Sequence, residues 1–175
     1  MAREIGAFVQ YQKVVCSDGE VTMIHSPSVT KIIGSTRLTM GGPVDPPQGT
    51  ERIVLAEDDP GVRKATMLIL EDLGYDVQAY PSGPDVLDAL AKDDRPIELL
   101  LTDFDMPGLN GYELARRLLA LRPDARVLLT SGSPEESIVP RVKPADWPPF
   151  IPKPYTCRSL GQKLREVLDE STAAH

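Results

Sequence analysis

From residue 51 onward, short apolar runs alternate with stretches in which apolar residues recur at helical spacing, and no other feature of the sequence constrains the fold as strongly. The strongest run is Ile97–Thr102, with three consecutive leucines at its centre, and the run 53–56 is wholly apolar. Such runs are typical of strands buried on both faces. Weaker runs occupy 77–79, 127–129 and 150–151. Strands that alternate with helices predict an α/β fold, a doubly wound five-stranded parallel sheet with helices on both faces.

Helix-capping and helix-breaking residues mark where the predicted helices begin and end. Asp59 and Pro60 form a helix start, with an acceptor side chain at the cap and proline in the first turn. Gly74 ends that helix. Apolar residues and one threonine recur every three or four positions along four predicted helices: Val62, Thr66, Ile69 and Leu73; Val86 and Leu90; Leu114, Leu118 and Leu121; Leu160, Leu164 and Val167.

Charge divides the chain into two parts joined by a Gly/Pro segment. Residues 1–50 carry four basic and four acidic side chains, so the formal charge of −7 lies entirely in the remainder. Residues 41–50 are rich in Gly and Pro, which is typical of a linker. We therefore predict a small N-terminal β extension over 1–40, this linker, and an α/β domain over 51–170.

Composition excludes several classes of protein. The sequence pI of about 4.9 argues against a nucleic-acid-binding surface, which needs clustered Lys and Arg. No apolar run approaches the roughly 18 residues of a membrane helix, and the N-terminus lacks the apolar stretch of a secretory signal. We expect a cytoplasmic protein with no membrane or nucleic-acid partner, in which Cys16 and Cys157 are unpaired thiols.

Charged and hydroxyl side chains follow the predicted strands, at the edge where functional residues of parallel sheets collect. Glu57 and Asp58 follow the first strand, Asp103 the third, Ser131 the fourth and Lys153 the fifth. Carboxylates that converge on one edge repel each other unless a cation joins them, and oxygen-only ligands suit Mg²⁺. A hydroxyl and an ammonium group can hold phosphoryl oxygens. The pattern predicts a metal-assisted phosphoryl site with a carboxylate acceptor.

Four segments, in this order, resemble the receiver domain of two-component response regulators: 53–63, 101–111, 129–132 and 150–154. They read IVLAEDDPGVR, LTDFDMPGLNG, LTSG and FIPKP, and the resemblance spans residues 52–169. It implies the flavodoxin-like receiver fold and a phosphoacceptor in a phosphorelay rather than an enzyme. It also implies Mg²⁺ as cofactor and a histidine kinase or phosphotransfer protein as partner, and it leaves the oligomeric state open.

The resemblance gives each acidic residue of the site a role. Asp103 matches the phosphoacceptor. Glu57 and Asp58 match the acidic pair of the metal site, with Asp58 the more direct ligand. Asp103 and Asp105 complete the expected metal site.

The remaining site residues match the groups that contact the phosphoryl group or respond to it. Ser131 matches the hydroxyl and Lys153 the lysine, which together with Asp103 form the expected catalytic set. Ser131 and Phe150 match the switch positions.

Three alternatives accompany this interpretation. The stretch Gly19–Met40 faintly resembles the closing strands of a histidine-kinase ATPase domain, so the chain could be the C-terminal receiver of a hybrid histidine kinase. Asp103 and Asp105 also resemble the nucleophile and acid of haloacid-dehalogenase-type phosphatases. A structural module with a vestigial site is the third alternative, against which the intact set of site residues argues.

Two departures from the receiver pattern are visible. Seven prolines between Pro134 and Pro154 predict a short fourth helix that ends before Pro140, because an interior proline costs a helix about 3 kcal/mol. Only Asp169–His175 follow the last predicted helix, so we expect no output domain. Within the proline-rich stretch, Trp147 is predicted to be a packing residue.

Overall fold

The computed structural model describes residues 46–133 and 147–170. It contains a five-stranded parallel sheet with the order β2-β1-β3-β4-β5. The strands are β1 (Arg52–Ala56), β2 (Asp76–Tyr80), β3 (Leu99–Asp103), β4 (Arg126–Ser131) and β5 (Phe150–Pro152). The helices of the described residues are α1 (Pro60–Asp72), α2 (Gly83–Leu90), α3 (Gly111–Leu121) and α4 (Cys157–Asp169). This is the doubly wound, flavodoxin-like fold that the sequence predicts.

The central strand differs slightly from its prediction. β3 begins at Leu99, two residues after Ile97. Leu99 is the first residue of β3 that pairs with both neighbouring strands, with Ile53 in β1 and with Arg126 in β4. It ends on Asp103, and β4 ends on Ser131. Two candidate site residues are therefore the last residues of their strands.

The alternation of side chains along the strands divides the core between the two faces of the sheet. Ile53 and Leu55 of β1 belong to the cluster that includes buried residues of α1 and α4. Val54 and Ala56 belong to the opposite cluster, which includes buried residues of α2 and α3. Helices thus cover both faces, which explains why the strands are apolar throughout.

Trp147 is buried in the second of these clusters. Its ring stacks on that of Tyr112 with 4.8 Å between centroids and lies tilted to that of Phe104 with 6.3 Å between centroids. The prediction that Trp147 is a packing residue is confirmed.

The order of the strands reverses at β1 and β3, because β2 lies on one side of β1 and the later strands lie on the other. Such a reversal opens a crevice at the carboxyl ends of the two strands. The chain turns there into α1, which Asp59 caps by accepting hydrogen bonds from the backbone N–H groups of Gly61 and Val62. The predicted helix start is confirmed, and the crevice is the place where the acidic residues meet.

Part of the predicted linker packs against the domain. The Gly49 N–H donates to the Leu73 carbonyl at 3.1 Å. A Cβ atom added at Gly161 of α4 would lie 3.0 Å from the Pro47 carbonyl oxygen. Residues 46–50 therefore follow the surface of α4 and the end of α1.

Several expectations fall on residues that the structure does not describe. They are the β extension over 1–40, the kinase-like stretch Gly19–Met40, the short helix predicted to end before Pro140, Cys16 and residues 171–175. Cys157 is a free and buried thiol. In the described ranges, no helix has both the length and the apolar character needed to cross a membrane.

Candidate functional site

Three carboxylates lie together at the crevice between β1 and β3. Glu57, Asp58 and Asp103 each contribute an oxygen atom, and these atoms all lie within 4.8 Å of one another. Glu57 is 2% exposed and Asp103 is 6% exposed, whereas Asp58 is open to solvent. We call these three residues the carboxylate cluster. Like charges at this separation repel each other, so the cluster favours a cation.

Backbone contacts hold the loop that carries Glu57 and Asp58. The Glu57 N–H donates to the Tyr80 carbonyl at 3.1 Å. The Arg63 guanidinium donates to the carbonyl oxygens of Glu57 at 2.6 Å and of Asp58 at 3.1 Å. The sequence analysis did not identify Arg63. Its place in the first turns of α1 was the available signal, because helical side chains lean back toward the N-terminus.

Lys153, just after β5, provides positive charge to the cluster. Its Nζ donates to Glu57 Oε2 at 2.6 Å and lies 2.9 Å from Asp103 Oδ2. Burial raises the pKa of Glu57, and the hydrogen bond and charge of Lys153 offset only part of that effect. Burial alone would lower the pKa of Lys153, but its contacts with Glu57 and Asp103 prevail and raise it. Lys153 is therefore a firmly protonated ammonium group beside the Asp103 carboxylate.

The donor set of the cluster fits Mg²⁺. All three groups are carboxylates, which are the ligands that Mg²⁺ prefers, and the solvent-exposed Asp58 leaves room for the water molecules that Mg²⁺ retains. Lys153 already holds Glu57, whereas no cation among the described residues pairs with the Asp58 carboxylate. Asp58 and Asp103 could therefore hold the metal directly, while Glu57 contributes negative charge without binding it.

Ser131 and Asp105 form a second pair next to the cluster. The Ser131 hydroxyl is fully buried and donates to Asp105 Oδ2 at 2.6 Å. It accepts from the Ser133 N–H at 2.8 Å, while the Asp105 N–H is 3.4 Å from Asp103 Oδ1. The Asp105 carboxylate is thus turned toward Ser131 and lies outside the carboxylate cluster, although the sequence analysis placed it among the metal ligands. No pattern in the sequence predicts this side-chain contact.

Ser131 is also connected to β5. The register pairs Ser131 with Pro152 and Leu129 with Phe150, and the Lys153 N–H donates to the Ser131 carbonyl at 2.8 Å. Phe150 is half-buried against the core on the α2 and α3 face. A shift at the end of β4 would therefore reach β5 through direct backbone contacts.

The fold places this chain in the class of doubly wound α/β proteins with an acidic site at the strand-order reversal. Residues 53–165 match the family model of the response regulator receiver domain. The chain belongs to the response regulator receiver family, which confirms the resemblance.

Relatives of different lengths share this domain. The response regulator receiver protein CpdR of Brucella abortus (strain 2308) is 32% identical over 118 residues, which cover 67% of this chain and 97% of CpdR. Sensor kinase CckA of the same strain is 29% identical over 123 residues, which cover 70% of this chain and 13% of CckA. The chain therefore spans nearly all of one relative and a small part of the other.

Solved structures agree with the assignment of the fold. A CheY-like response regulator receiver domain protein from Methanospirillum hungatei JF-1 is 31% identical, with a TM-score of 0.58 over 70% of this chain and 96% of that one. The receiver domain of the hybrid histidine kinase CckA is 26% identical, with a TM-score of 0.57 over 67% and 98%.

Proposed function

We propose that this chain accepts a phosphoryl group on Asp103 in a Mg²⁺-dependent reaction. The observation that carries the proposal is the position of the Asp103 carboxylate at the end of β3. It belongs to the carboxylate cluster, and it lies 2.9 Å from the Lys153 ammonium. A nucleophilic carboxylate that belongs to a candidate metal site and also contacts an ammonium group suits phosphoryl transfer, in which catalysis consists of positioning and charge stabilisation.

The proposed donor is a phosphohistidine of a histidine kinase or phosphotransfer protein. An Asp103 oxygen forms a bond to phosphorus while the P–N bond breaks. The electron pair of the P–N bond remains on that nitrogen, and the ring, protonated at its other nitrogen, leaves as neutral imidazole. Mg²⁺ held by Asp58 and Asp103 would supply charge to the phosphoryl oxygens. Lys153 keeps its hydrogen bond to Glu57 and exchanges its contact with Asp103 for one with a phosphoryl oxygen.

The phosphorylated state then alters a partner-binding surface. The Ser131 hydroxyl turns to donate to a phosphoryl oxygen, and the end of β4 moves with it. Because Lys153 and Pro152 pair with Ser131, the movement reaches β5 and the half-buried ring of Phe150. Phosphorylation thus shifts the balance between two arrangements of this surface.

The same receiver chemistry suits both a receiver protein and a receiver domain within a sensor kinase, which are the two kinds of protein that the relatives represent. CpdR is a receiver protein of which this chain matches 97%, whereas CckA is a sensor kinase of which this chain matches 13%. We propose a phosphoacceptor that works in the cytoplasm, where kinases are charged from ATP. A receiver at the C-terminus of a hybrid histidine kinase is the alternative.

Chemical phosphorylation tests the proposal. The protein is incubated with phosphoramidate and Mg²⁺, followed by intact-mass analysis and borohydride trapping. We expect one label, on Asp103, that requires Mg²⁺ and is lost in Asp103→Asn. The matched control is Asp59→Asn, which retains a good helix cap at the neighbouring acidic position and should keep the label. A label on Asp58 or Asp59, or a full label in Asp103→Asn, would contradict the proposal.

We expect no steady turnover of phosphate esters. Receiver domains accept phosphate rather than act as hydrolases, and the Asp105 carboxylate, the acid of the phosphatase alternative, is bound to Ser131. Hydrolysis of p-nitrophenyl phosphate by the purified protein, lost in Asp105→Asn, would favour the phosphatase.

A further inference from the structure

We propose that Asp105 is a positioning residue that holds the Ser131 hydroxyl away from the phosphoryl site and so opposes the phosphorylated arrangement. The inference rests on the proposed function, because it concerns a competition for the hydroxyl that the phosphoryl group on Asp103 would need. It assigns a specific task to the side chain of Asp105.

The hydrogen-bond inventory of Ser131 carries the argument. A serine hydroxyl has one proton to donate and two lone pairs. The proton is donated to Asp105 Oδ2 at 2.6 Å, and the Ser133 N–H occupies one of the lone pairs at 2.8 Å. The hydroxyl can therefore donate to a phosphoryl oxygen only after its bond to Asp105 has broken.

The bond to Asp105 is of the stronger kind. Its acceptor is a carboxylate, and hydrogen bonds to ionised acceptors are about twice as strong as neutral ones. The bond is partly buried, because the Ser131 hydroxyl is shielded from water whereas the Asp105 carboxylate is exposed. The contact stabilises the unphosphorylated arrangement and therefore reduces the affinity for any ligand that needs the other one.

Asp105 is well placed for this competition. Its N–H lies 3.4 Å from Asp103 Oδ1, while its side chain reaches Ser131. The same residue thus borders the acceptor through its backbone and restrains the hydroxyl through its carboxylate. Its negative charge would also repel a phosphoryl group, so the experiment must separate charge from hydrogen bonding.

A double-mutant cycle makes that separation. Asp105→Ala is compared with its parent in the native chain and in a Ser131→Ala background, where the restraint is absent but the charge effect remains. The probe is beryllofluoride with Mg²⁺, followed by the fluorescence of the single tryptophan, Trp147. The second-order rate constant for labelling by phosphoramidate is measured in parallel, because this measurement does not require a saturating concentration of phosphoramidate.

We expect Asp105→Ala to increase beryllofluoride affinity and labelling rate about tenfold more in the Ser131 chain than in the Ser131→Ala chain. An equal gain in both backgrounds would show charge repulsion alone and overturn the proposal, and so would no gain or a loss in the Ser131 chain. If the native chain neither binds beryllofluoride nor is labelled on Asp103, the result contradicts the proposed function itself. A native chain that is labelled but shows no coupling refutes only the role of Asp105.

Discussion

Both ends of the parallel sheet carry charged side chains, but the charges are neutralised to different extents at the two ends. We call the N-terminal ends of the strands the amino edge and the opposite ends the carboxyl edge. At the amino edge, Arg52 is 7% exposed and its guanidinium lies 2.6 Å from Asp93 Oδ2. It also donates to Gln78 and to the carbonyl oxygens of Arg95 and Pro96. Arg52 and Arg95 both pair with the Asp93 carboxylate.

A second network extends this balance to the end of α4. Arg165 lies 2.5 Å from Glu51 Oε1 and also pairs with Asp169. The hydrogen bond from Arg165 holds the pKa of Asp169 below its usual value. Hydrogen bonds from Arg95, together with the charge of Arg52, do the same for the pKa of Asp93.

The carboxyl edge has the opposite character. Within the described residues, one ammonium group, that of Lys153, pairs with two of the three carboxylates of the cluster, and the pKa of the buried Glu57 is raised rather than lowered. Matched charges at one edge serve stability, whereas surplus negative charge at the other creates a place for a cation and a phosphoryl group. Perturbed groups of this kind cluster at functional sites.

The largest expected effect comes from removing the central cation of each edge. Arg52→Met should lower the free energy of unfolding by about 2–3 kcal/mol, because the buried guanidinium of Arg52 is the donor to Asp93 and to the carbonyl oxygens of Arg95 and Pro96. Lys153→Met should cost less, about 1–2 kcal/mol, since protonation of Glu57 or binding of Mg²⁺ relieves the remaining repulsion. Urea denaturation with and without Mg²⁺ measures both.

Phosphorylation provides the contrasting readout for this pair of variants. Folded Arg52→Met should accept phosphate at the native rate, because Arg52 and Asp103 lie at opposite ends of the sheet. Lys153→Met should accept little. Equal destabilisation of the two variants, unrelieved by Mg²⁺ in Lys153→Met, would mean that the two edges do not differ as described.

The sequence predicts the carboxyl edge better than the amino edge, for a physical reason. Residues that follow apolar strands in a parallel sheet must meet at one edge, so the positions of Asp103 and Lys153 follow from local patterns. The burial of Arg52 depends on a loop around residues 93–96 that folds over it, which no local pattern encodes. The contact between Ser131 and Asp105 depends on side-chain rotamers, so only the proximity of these residues was predictable.

A smaller effect should follow from relieving the repulsion at the carboxyl edge. Asp58→Asn removes a carboxylate with which no cation of the described residues pairs, so it should stabilise the Mg²⁺-free protein by about 0.5–1 kcal/mol. The stabilisation by Mg²⁺ should largely disappear. Asp103→Asn should gain less, because Asp103 also loses its contact with Lys153. Thermal melts across a Mg²⁺ titration measure these changes.

The neighbouring acid again provides the control. Asp59→Asn changes the charge by the same amount but retains the cap of α1, so most of the Mg²⁺ response should remain. An undiminished response in Asp58→Asn would remove Asp58 from the metal site.

The smallest expected effect concerns residues 46–50, which precede β1 at the amino edge. We propose that the receiver domain begins near residue 46, within the predicted linker, because Gly49 contacts the end of α1 and Pro47 lies against Gly161 within α4. Residues 51–175 should still fold and accept phosphate from phosphoramidate, since their core and site are complete without the preceding segment. Residues 46–175 should be more stable by about 0.5–1 kcal/mol, the worth of one backbone hydrogen bond and a short packed segment.

Gly161→Ala in both truncated chains tests that contact directly. Alanine favours the interior of α4 by up to about 1 kcal/mol relative to glycine, so the substitution should stabilise 51–175. In 46–175 the new methyl group would lie 3.0 Å from the Pro47 carbonyl oxygen, and the gain should shrink or reverse. Urea denaturation of the four proteins yields the difference. The same gain in both lengths would show that residues 46–50 do not pack on α4, and an unfolded 51–175 would show that the domain needs the segment before it.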